Sequence, residues 1–320
     1  MAGTSTNVFQ FNIDTQDSAI YTKVDWYSAI FNDMSFNTVL RWLGLEDYVS
    51  EFAENVYEQC QGLEDKFVFN WRGVRLETAQ FNFYGEQIIE GTMQEHLFDK
   101  VIPKIRLDIS GSGLDNLRVL GMDVDTYLRT QTDEAGNYIM PQPSHVTRID
   151  FAFDLINYRP EFLDQLIEHC EKWHTASDRV IITSDDARAG GGIKYTIRKG
   201  GGQKTLYLGA PTSDKMLRIY DKKMQYTNAD NTQYVKENPY GDPDSWIRIE
   251  LQCRKKVAHG LCFPENRNLD MLAIFKYIYD KYNFADVEHT THHNRRPAEF
   301  WANLFDWEQI AAIVQNTNFV

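Results

Sequence analysis

The sequence predicts an α+β fold. It is read as an antiparallel sheet with helices on one face, made of a duplicated βαβββ unit and followed by C-terminal helices. Three observations predict it. Short runs rich in β-branched and aromatic residues alternate apolar and polar side chains, the period-two signature of strands with one buried face. Each half also contains one segment with apolar residues at helical spacing. Finally, the order strand, helix, three strands occurs twice. KVDWYSAIF aligns with RIDFAFDLI, placing Asp25 over Asp150, and LDIS at 107–110 aligns with LRIY at 217–220. The pseudo-repeats cover 20–115 and 145–256 within one domain of residues 20–262, and 263–320 reads as a C-terminal helical region.

The elements follow in order. Residues 1–19 have neither a basic start nor an apolar core, so they read as a disordered leader and not as a signal peptide. YTKVDWYSAIF, 21–31, is a strand ended by Asn32 and Asp33. Ser35 is placed to cap a helix over SFNTVLRWLGLEDYVSEFAENVYEQC, with Gly44 as a break point. KFVFNWRGVRLETAQFNFYG supplies two or three strands, MQEHLFDKVI a short helix, and IRLDISGSG a strand whose SGSG reads as a turn. HVTRIDFAFDLINY, 145–158, opens the second copy. Pro160 falls in the first turn of the amphipathic helix PEFLDQLIEHCEKWH, where its missing N–H has no helical partner to lose. IKYTIRK, KTLYLGA, KMLRIYDK and WIRIELQCR are four further strands. Gly200–Gly202 turn between the first two, and the acidic stretch 236–245 is a loop. LDMLAIFKYIYDKYNF and PAEFWANLFDWEQIAAIVQ read as helices.

Composition narrows the function. With 42% hydrophobic and 25% charged residues the chain is an ordinary globular one. No apolar run approaches the ~20 residues of a membrane span, so no membrane partner is expected. The four cysteines show no CxxC spacing, which argues against a zinc site or disulfide framework and for a reducing, cytoplasmic compartment. A net charge of -13 argues against a protein that simply coats nucleic acid. The charge is uneven, however: residues 187–256 hold 14 Lys and Arg against 7 Asp and Glu, leaving 19 basic and 39 acidic residues elsewhere. A basic segment in an acidic chain suggests a localised polyanion site. There is no P-loop and no GxSxG, so nucleoside triphosphatase and hydrolase readings are poor. The glycine runs 190–192 and 200–202 open no helix and are weak phosphate cradles. His289, His292 and His293 sit in the polar HTTHHNRR, which reads as a solvated or DNA-contacting loop. His169 and His174 read as core or surface histidines of a helix.

Strand alternation gathers the remaining candidates. Arg148, Asp150, Ala152 and Asp154 share one face of the first strand; Arg218, Tyr220 and Lys222 share a face of the second; Arg248, Glu250, Gln252 and Arg254 share one of the third. Each strand is expected to have one buried apolar face and one charged outer face. Were the strands neighbours, Asp150, Tyr220 and Glu250 would meet. Converging carboxylates repel unless a cation lies between them, and a hard ion such as Mg2+ or Mn2+ suits carboxylate oxygens. Such an ion stabilises charge that develops on a phosphodiester. A free phenol has a pKa near ~10, so a metal together with Lys222 and Arg218 would be needed to favour the phenolate. The plain alternative stays open: Asp150 and Glu250 in surface salt bridges with Arg148 and Arg248, and Tyr220 purely structural.

VDWYSAIF, SGSG, RIDFAFD, LYLGAPTSDKMLRIYDKKMQ and WIRIELQCRK occur in that order, and together they resemble the replication initiation factor (Rep_trans) family. The likeness runs from about residue 20 to 260 and is strongest over 145–256. That family includes rolling-circle plasmid initiators, phage initiators and relaxases of integrative conjugative elements. The resemblance implies a sequence-specific, metal-dependent DNA nicking and closing transesterase. Its fold is related to that of His-hydrophobic-His endonucleases, without their two histidines. Tyr220 matches the nucleophile, leaving a 5′-phosphotyrosyl link and a 3′-hydroxyl primer. Asp150 and Glu250, with Asp154, match the metal-holding positions. Lys222 and Arg218 are assigned to phosphate contact and nucleophile activation. Arg148, Arg198, Lys199, Lys204, Lys223, Arg248 and Arg254 are assigned to DNA contact. The implied partners are origin DNA, single-stranded or in a hairpin beside duplex, a host helicase, and a second copy of the chain, because termination needs a second nucleophile. Two other readings stand beside this one: a water-using metal nuclease, and a non-catalytic DNA-binding regulator.

Overall fold

The computed structural model describes residues 7–10, 19–48, 68–78, 101–129, 141–175, 177–183, 192–228, 243–262, 271–289, 295–302 and 304. The chain divides into two compact units. Unit 1 is built from 24–150 and 253–269, with 1–5; unit 2 from 6–23, 151–252 and 270–320.

Unit 1 is an antiparallel sheet in the order β3–β4–β5–β2, with the opening half of β6 next to β2. The strands are β2 (Ala19–Ser35), β3 (Val68–Trp71), β4 (Val74–Thr78), β5 (Val101–Ser110) and β6 (His145–Ile156). Here the period-two pattern holds. Tyr27, Ala29, Phe31, Ile105, Leu107 and Ile109 all point to one side and are 0% exposed, and α1 (Phe36–Trp42) covers them with Val39 and Leu40. Ser35 caps that helix as anticipated, its Oγ accepting from the Thr38 amide at 3.2 Å, and Gly44 follows its end at φ +66°. Arg72 and Gly73 form the two-residue turn between β3 and β4, with φ 41° and 91°, the positive values a type I′ hairpin demands.

SGSG is a helix start and not a turn. Ser110 ends β5 and caps α2 (Gly111–Val119), accepting from the Gly113 amide at 3.3 Å, while its own hydroxyl donates to the Gly73 carbonyl at 3.2 Å. The two glycines lower helix propensity and masked the serine cap. Helices α3 (Val124–Arg129) and, after β11, α6 (Lys255–Cys262) were likewise not anticipated.

Unit 2 continues from Phe151 in the order β6–β11–β10–β9–β8–β7. Its strands are β7 (Arg179–Val180), β8 (Ile193–Gly200), β9 (Gln203–Leu208), β10 (Lys215–Asp221) and β11 (Trp246–Arg254). Helix α4 (Phe162–Lys172) packs on β10 and buries Phe162, Leu163, Leu166, Ile167 and Cys170. Helix α7 (Met271–Lys281) sets Phe275 against Phe153, ring centroids 4.7 Å apart. Trp301, in α8 (Glu299–Ala302), stacks on Tyr279 and donates its indole N–H to the Tyr279 carbonyl at 3.2 Å. Asn7–Gln10 forms β1, paired antiparallel with Ala19–Thr22, inside the segment read as a disordered leader.

Two expectations need correction. Strand β10 stops at Asp221, and Lys222 opens helix α5 (Lys222–Asn228); Asp221 Oδ1 accepts from the Met224 amide at 2.8 Å and so caps it. Lys222 therefore does not extend the face of Arg218 and Tyr220 by strand alternation. Strand β11 has no charged outer face either, since Trp246 to Cys253 are all buried. Arg248 and Glu250 are each 1% exposed, and Asp150 and Asp154 are 1% and 0%. A central strand can bury its charged side only if each charge takes its partner inside.

The expected repeat of strand, helix, three strands is not reproduced: in unit 2 five strands, β7 to β11, follow α4, and the pairing differs too. In unit 1 β5 pairs directly with β2, whereas in unit 2 β11 lies between β10 and β6. No helix among the described residues is long and apolar enough to cross a membrane. Cys170, Cys253 and Cys262 are buried free thiols. The helix expected beyond residue 48, the one near 93–100, the loop at 236–242, Gly190, Gly191, His292, His293, Cys60 and the C-terminal helix past 304 lie outside the described residues.

Candidate active site

The site of interest in unit 2 is a tyrosine held between two cations and a carboxylate. Tyr220 is the penultimate residue of β10 and pairs across to Thr205 of β9, while Arg218 stands opposite Tyr207. The Tyr220 hydroxyl donates to Glu250 Oε2 at 3.2 Å. Arg218 reaches the same carboxylate with Nη2, at 2.5 Å from Oε1 and in contact with Oε2. Its Cζ lies 5.0 Å from the Tyr220 ring centroid, and Lys222 Nζ lies 5.8 Å from that centroid. The turn from strand to helix thus returns Lys222 to the ring that alternation would have given it. Tyr220 is 4% exposed and the Glu250 side chain 2%, whereas the Arg218 side chain is 32% exposed.

The other two carboxylates are also held by arginines. In unit 2 Arg248 places Nε and Nη2 on the two oxygens of Asp154 at 2.6 and 2.7 Å, with both side chains buried. Burial pushes the Asp154 carboxyl up, but the Arg248 charge and its hydrogen bonds outweigh that and hold it below the usual range. In unit 1 Arg148 donates to both oxygens of Asp150, Nη2 to Oδ2 at 2.5 Å, and stacks its Cζ 4.0 Å from the Trp26 ring centroid.

The profile of the replication initiation factor family matches residues 144–318, more than half the chain and the whole of this site. The chain belongs to that family. A solved rolling-circle replication initiator protein from Geobacillus stearothermophilus has a similar fold, with a TM-score of 0.50 at 17% identity over 89% of this chain and 94% of that one. No curated protein sequence matches the chain.

The remaining residues assigned to DNA in this initiation factor occupy varied places. Arg248 is corrected: its guanidinium is buried on Asp154 and cannot meet a DNA backbone. Lys204 and Lys199 project from the β8–β9 hairpin to Asp164 at 2.6 Å and Glu171 at 2.8 Å on α4, and both are exposed pairs. Arg198 lies over the Tyr207 ring at 5.2 Å. Lys223 donates to the Pro243 carbonyl at 2.6 Å, and Arg254 ends β11 half-buried. Tyr207 was missed by sequence reasoning. Its signal was the alternation of KTLYLGA, which puts Thr205 and Tyr207 on the face of Tyr220 and Arg218.

A bound metal must find donors here. Among the described residues no three His, Cys, Asp or Glu side chains form a metal-ligating group. Asp154 does not fit, because both its oxygens are committed to a buried arginine. Glu250 fits one kind of ion. Mg2+ is commonly held by one or two carboxylates plus substrate phosphates and water, and the arginine on Glu250 is a third exposed and has solvent to move into.

Proposed function

We propose that this initiation factor nicks and rejoins one strand of origin DNA to start rolling-circle replication, with Tyr220 as nucleophile. The observation that carries the reading is the Tyr220–Glu250 hydrogen bond with Arg218 and Lys222 beside the ring. Family membership supports a role in replication initiation.

The chemistry assigned to these side chains balances as follows. Glu250 accepts the phenolic proton, and the adjacent cations favour the anionic oxygen. The phenolate attacks phosphorus, the bond from phosphorus to the 3′-oxygen breaks, and that oxygen takes a proton to become the 3′-hydroxyl. Arg218, released from Glu250, meets the non-bridging oxygens of the phosphate, a pairing its planar fork is shaped for. A Mg2+ or Mn2+ ion, if held by Glu250, would stabilise charge building on the phosphate, and the phenolic proton would then pass to water in place of that carboxylate. The resemblance also offers Asp150 as a ligand; it belongs to unit 1 and carries Arg148 there. A host helicase and a second copy of the chain are the proposed partners, the first to unwind and the second to supply a tyrosine for termination. Transfer of a conjugative element is the variant of this reading that uses the same chemistry.

The test is a covalent trap. Labelled single strands from the DNA flanking the gene are incubated with the protein and Mn2+ or a chelator, then run on a denaturing gel beside Tyr220→Phe. A shifted band that needs both Tyr220 and the metal is expected. Cleavage with no shifted band would transfer the chemistry to water and make Tyr220 structural. The burial of Tyr220 at 4% exposure favours that second reading enough to make the control essential.

A further inference from the structure

Unit 1 has a face that the site above does not use. Strand pairing fixes it. Trp26, Ser28 and Ile30 of β2 stand opposite Ser110, Asp108 and Arg106 of β5, and the last two stand opposite Arg75 and Glu77 of β4. Opposed residues share a face, as do residues two apart along a strand. The intervening residues, Tyr27, Phe31, Leu107 and Leu76 among them, fill the core on the other side. On the face itself Asn32, Lys104, Arg106 and Arg75 are exposed. Among the described residues helices lie on one side of this sheet, while the side carrying Trp26 buries Ser28 and reaches solvent at Asn32, Arg75, Lys104 and Arg106.

Trp26 is half-buried and held in place. Its indole N–H donates to Ser28 Oγ at 2.8 Å, Ser28 Oγ donates to Asp108 Oδ1 at 2.5 Å, and Arg148 stacks on its ring. The charges beside it come as arginine–carboxylate pairs two residues apart, Arg75–Glu77 at 2.9 Å and Arg106–Asp108 at 2.7 Å. In each pair the arginine is about half exposed, at 50% and 56%, while its carboxylate is 15% and 17% exposed, so each guanidinium keeps an outer edge in solvent. Lys104 adds a further exposed cation, in a chain whose net charge is -13.

We propose that this face is a track for single-stranded DNA, with a base against Trp26 and phosphates on Lys104, Arg106 and Arg75. A ring fixed on a sheet face and flanked by exposed cations is the combination by which single strands are held without sequence preference. Duplex DNA does not suit it, because paired bases offer no face to stack and a broad sheet enters neither groove. The proposal rests on the DNA-nicking reading only for the choice of DNA as the polyanion.

The test measures equilibrium binding of a fluorescent dT20 strand to the full chain carrying Tyr220→Phe, so that no cleavage intervenes. Trp26→Leu should weaken binding about tenfold while leaving its salt dependence unchanged, as loss of one stacked base requires. Lys104→Glu should weaken it and reduce the slope of log affinity against log salt by about 1. Lys276→Glu, on α7, should bind like the parent. Circular dichroism melting confirms that each variant folds, and Trp26→Phe, which keeps a ring, should recover part of the affinity. Folded Trp26→Leu and Lys104→Glu proteins that bind dT20 like the parent would overturn the proposal. So would an equal loss on a 20-base-pair duplex, which would make the face a general polyanion surface. Because the readout is binding, failure of the covalent trap leaves this result interpretable, and the reverse.

Discussion

At the scale of single residues the molecule is organised by arginines on carboxylates, and their surroundings decide what each pair does. Arg248–Asp154 is buried on both sides, so removing one partner leaves the other a buried charge without its bidentate counter-charge. Asp154→Asn should cost about 3–5 kcal/mol of stability, read as a lower denaturant midpoint. The joint replacement Asp154→Leu with Arg248→Met should recover most of it. Arg218–Glu250 is the same chemistry with one partner a third exposed, and it touches the tyrosine. Arg218→Met should therefore lower covalent adduct formation at least tenfold, the scale of one lost charge-assisted contact in a transition state, and should also lower the melting temperature, because the Glu250 carboxylate is buried and loses its counter-charge. Identical residue types thus form buried scaffold in one place and, on the proposed reading, act on the tyrosine in the other. Burial, which alternation alone does not report, separates them.

At the scale of elements the turns and strand ends are the sensitive points. Gly73 occupies φ 91°, and a side chain there would bring a Cβ to 2.6 Å from Ser110 Oγ and 2.7 Å from the Gly113 amide. Gly73→Ala should thus cost about 1–3 kcal/mol through backbone strain alone, and more through the clash, seen as earlier melting of unit 1. Much of this layer was legible in the sequence. The bounds of β6 and β11, the cap at Ser35 and the helix after Pro160 follow from period and cap chemistry. The strand-to-helix switch at Lys222 was not, because KMLRIYDKKMQ keeps alternating past the point where Asp221 caps α5. Nor was the buried side of β11: its charges read as solvent-facing until their partners, Asp154 for Arg248 and Arg218 for Glu250, are seen. Which residues meet was predicted partly. Tyr220 and Glu250 do meet, and the arginine between them came from the tyrosine's own strand.

At the scale of the whole molecule, acid should act in two stages. Burial, chiefly, holds the His169 imidazole down to about 4, with the Lys172 charge adding to it. The folded state therefore prefers the neutral ring, while the unfolded chain protonates near pH ~6.5. Stability from this group is complete above that value and falls as pH drops from ~6.5 toward 4, by at most about 3 kcal/mol. Asp154 is depressed in the folded state, so its contribution is present above its unfolded value near ~3.9 and is lost as pH falls further. Melting temperature followed from pH 7 to 3 should show both stages, and His169→Gln should flatten only the first. The resting position of Tyr220 has a different kind of consequence. A nicking protein is a hazard to the genome that houses it, since every accidental encounter with a phosphodiester is a potential lesion. A phenol sunk to 4% exposure and tied to Glu250 is sheathed. On the proposed reading, a phosphate that takes Arg218 away from the carboxylate would draw it, so the contact that recognises the strand would also arm the tyrosine.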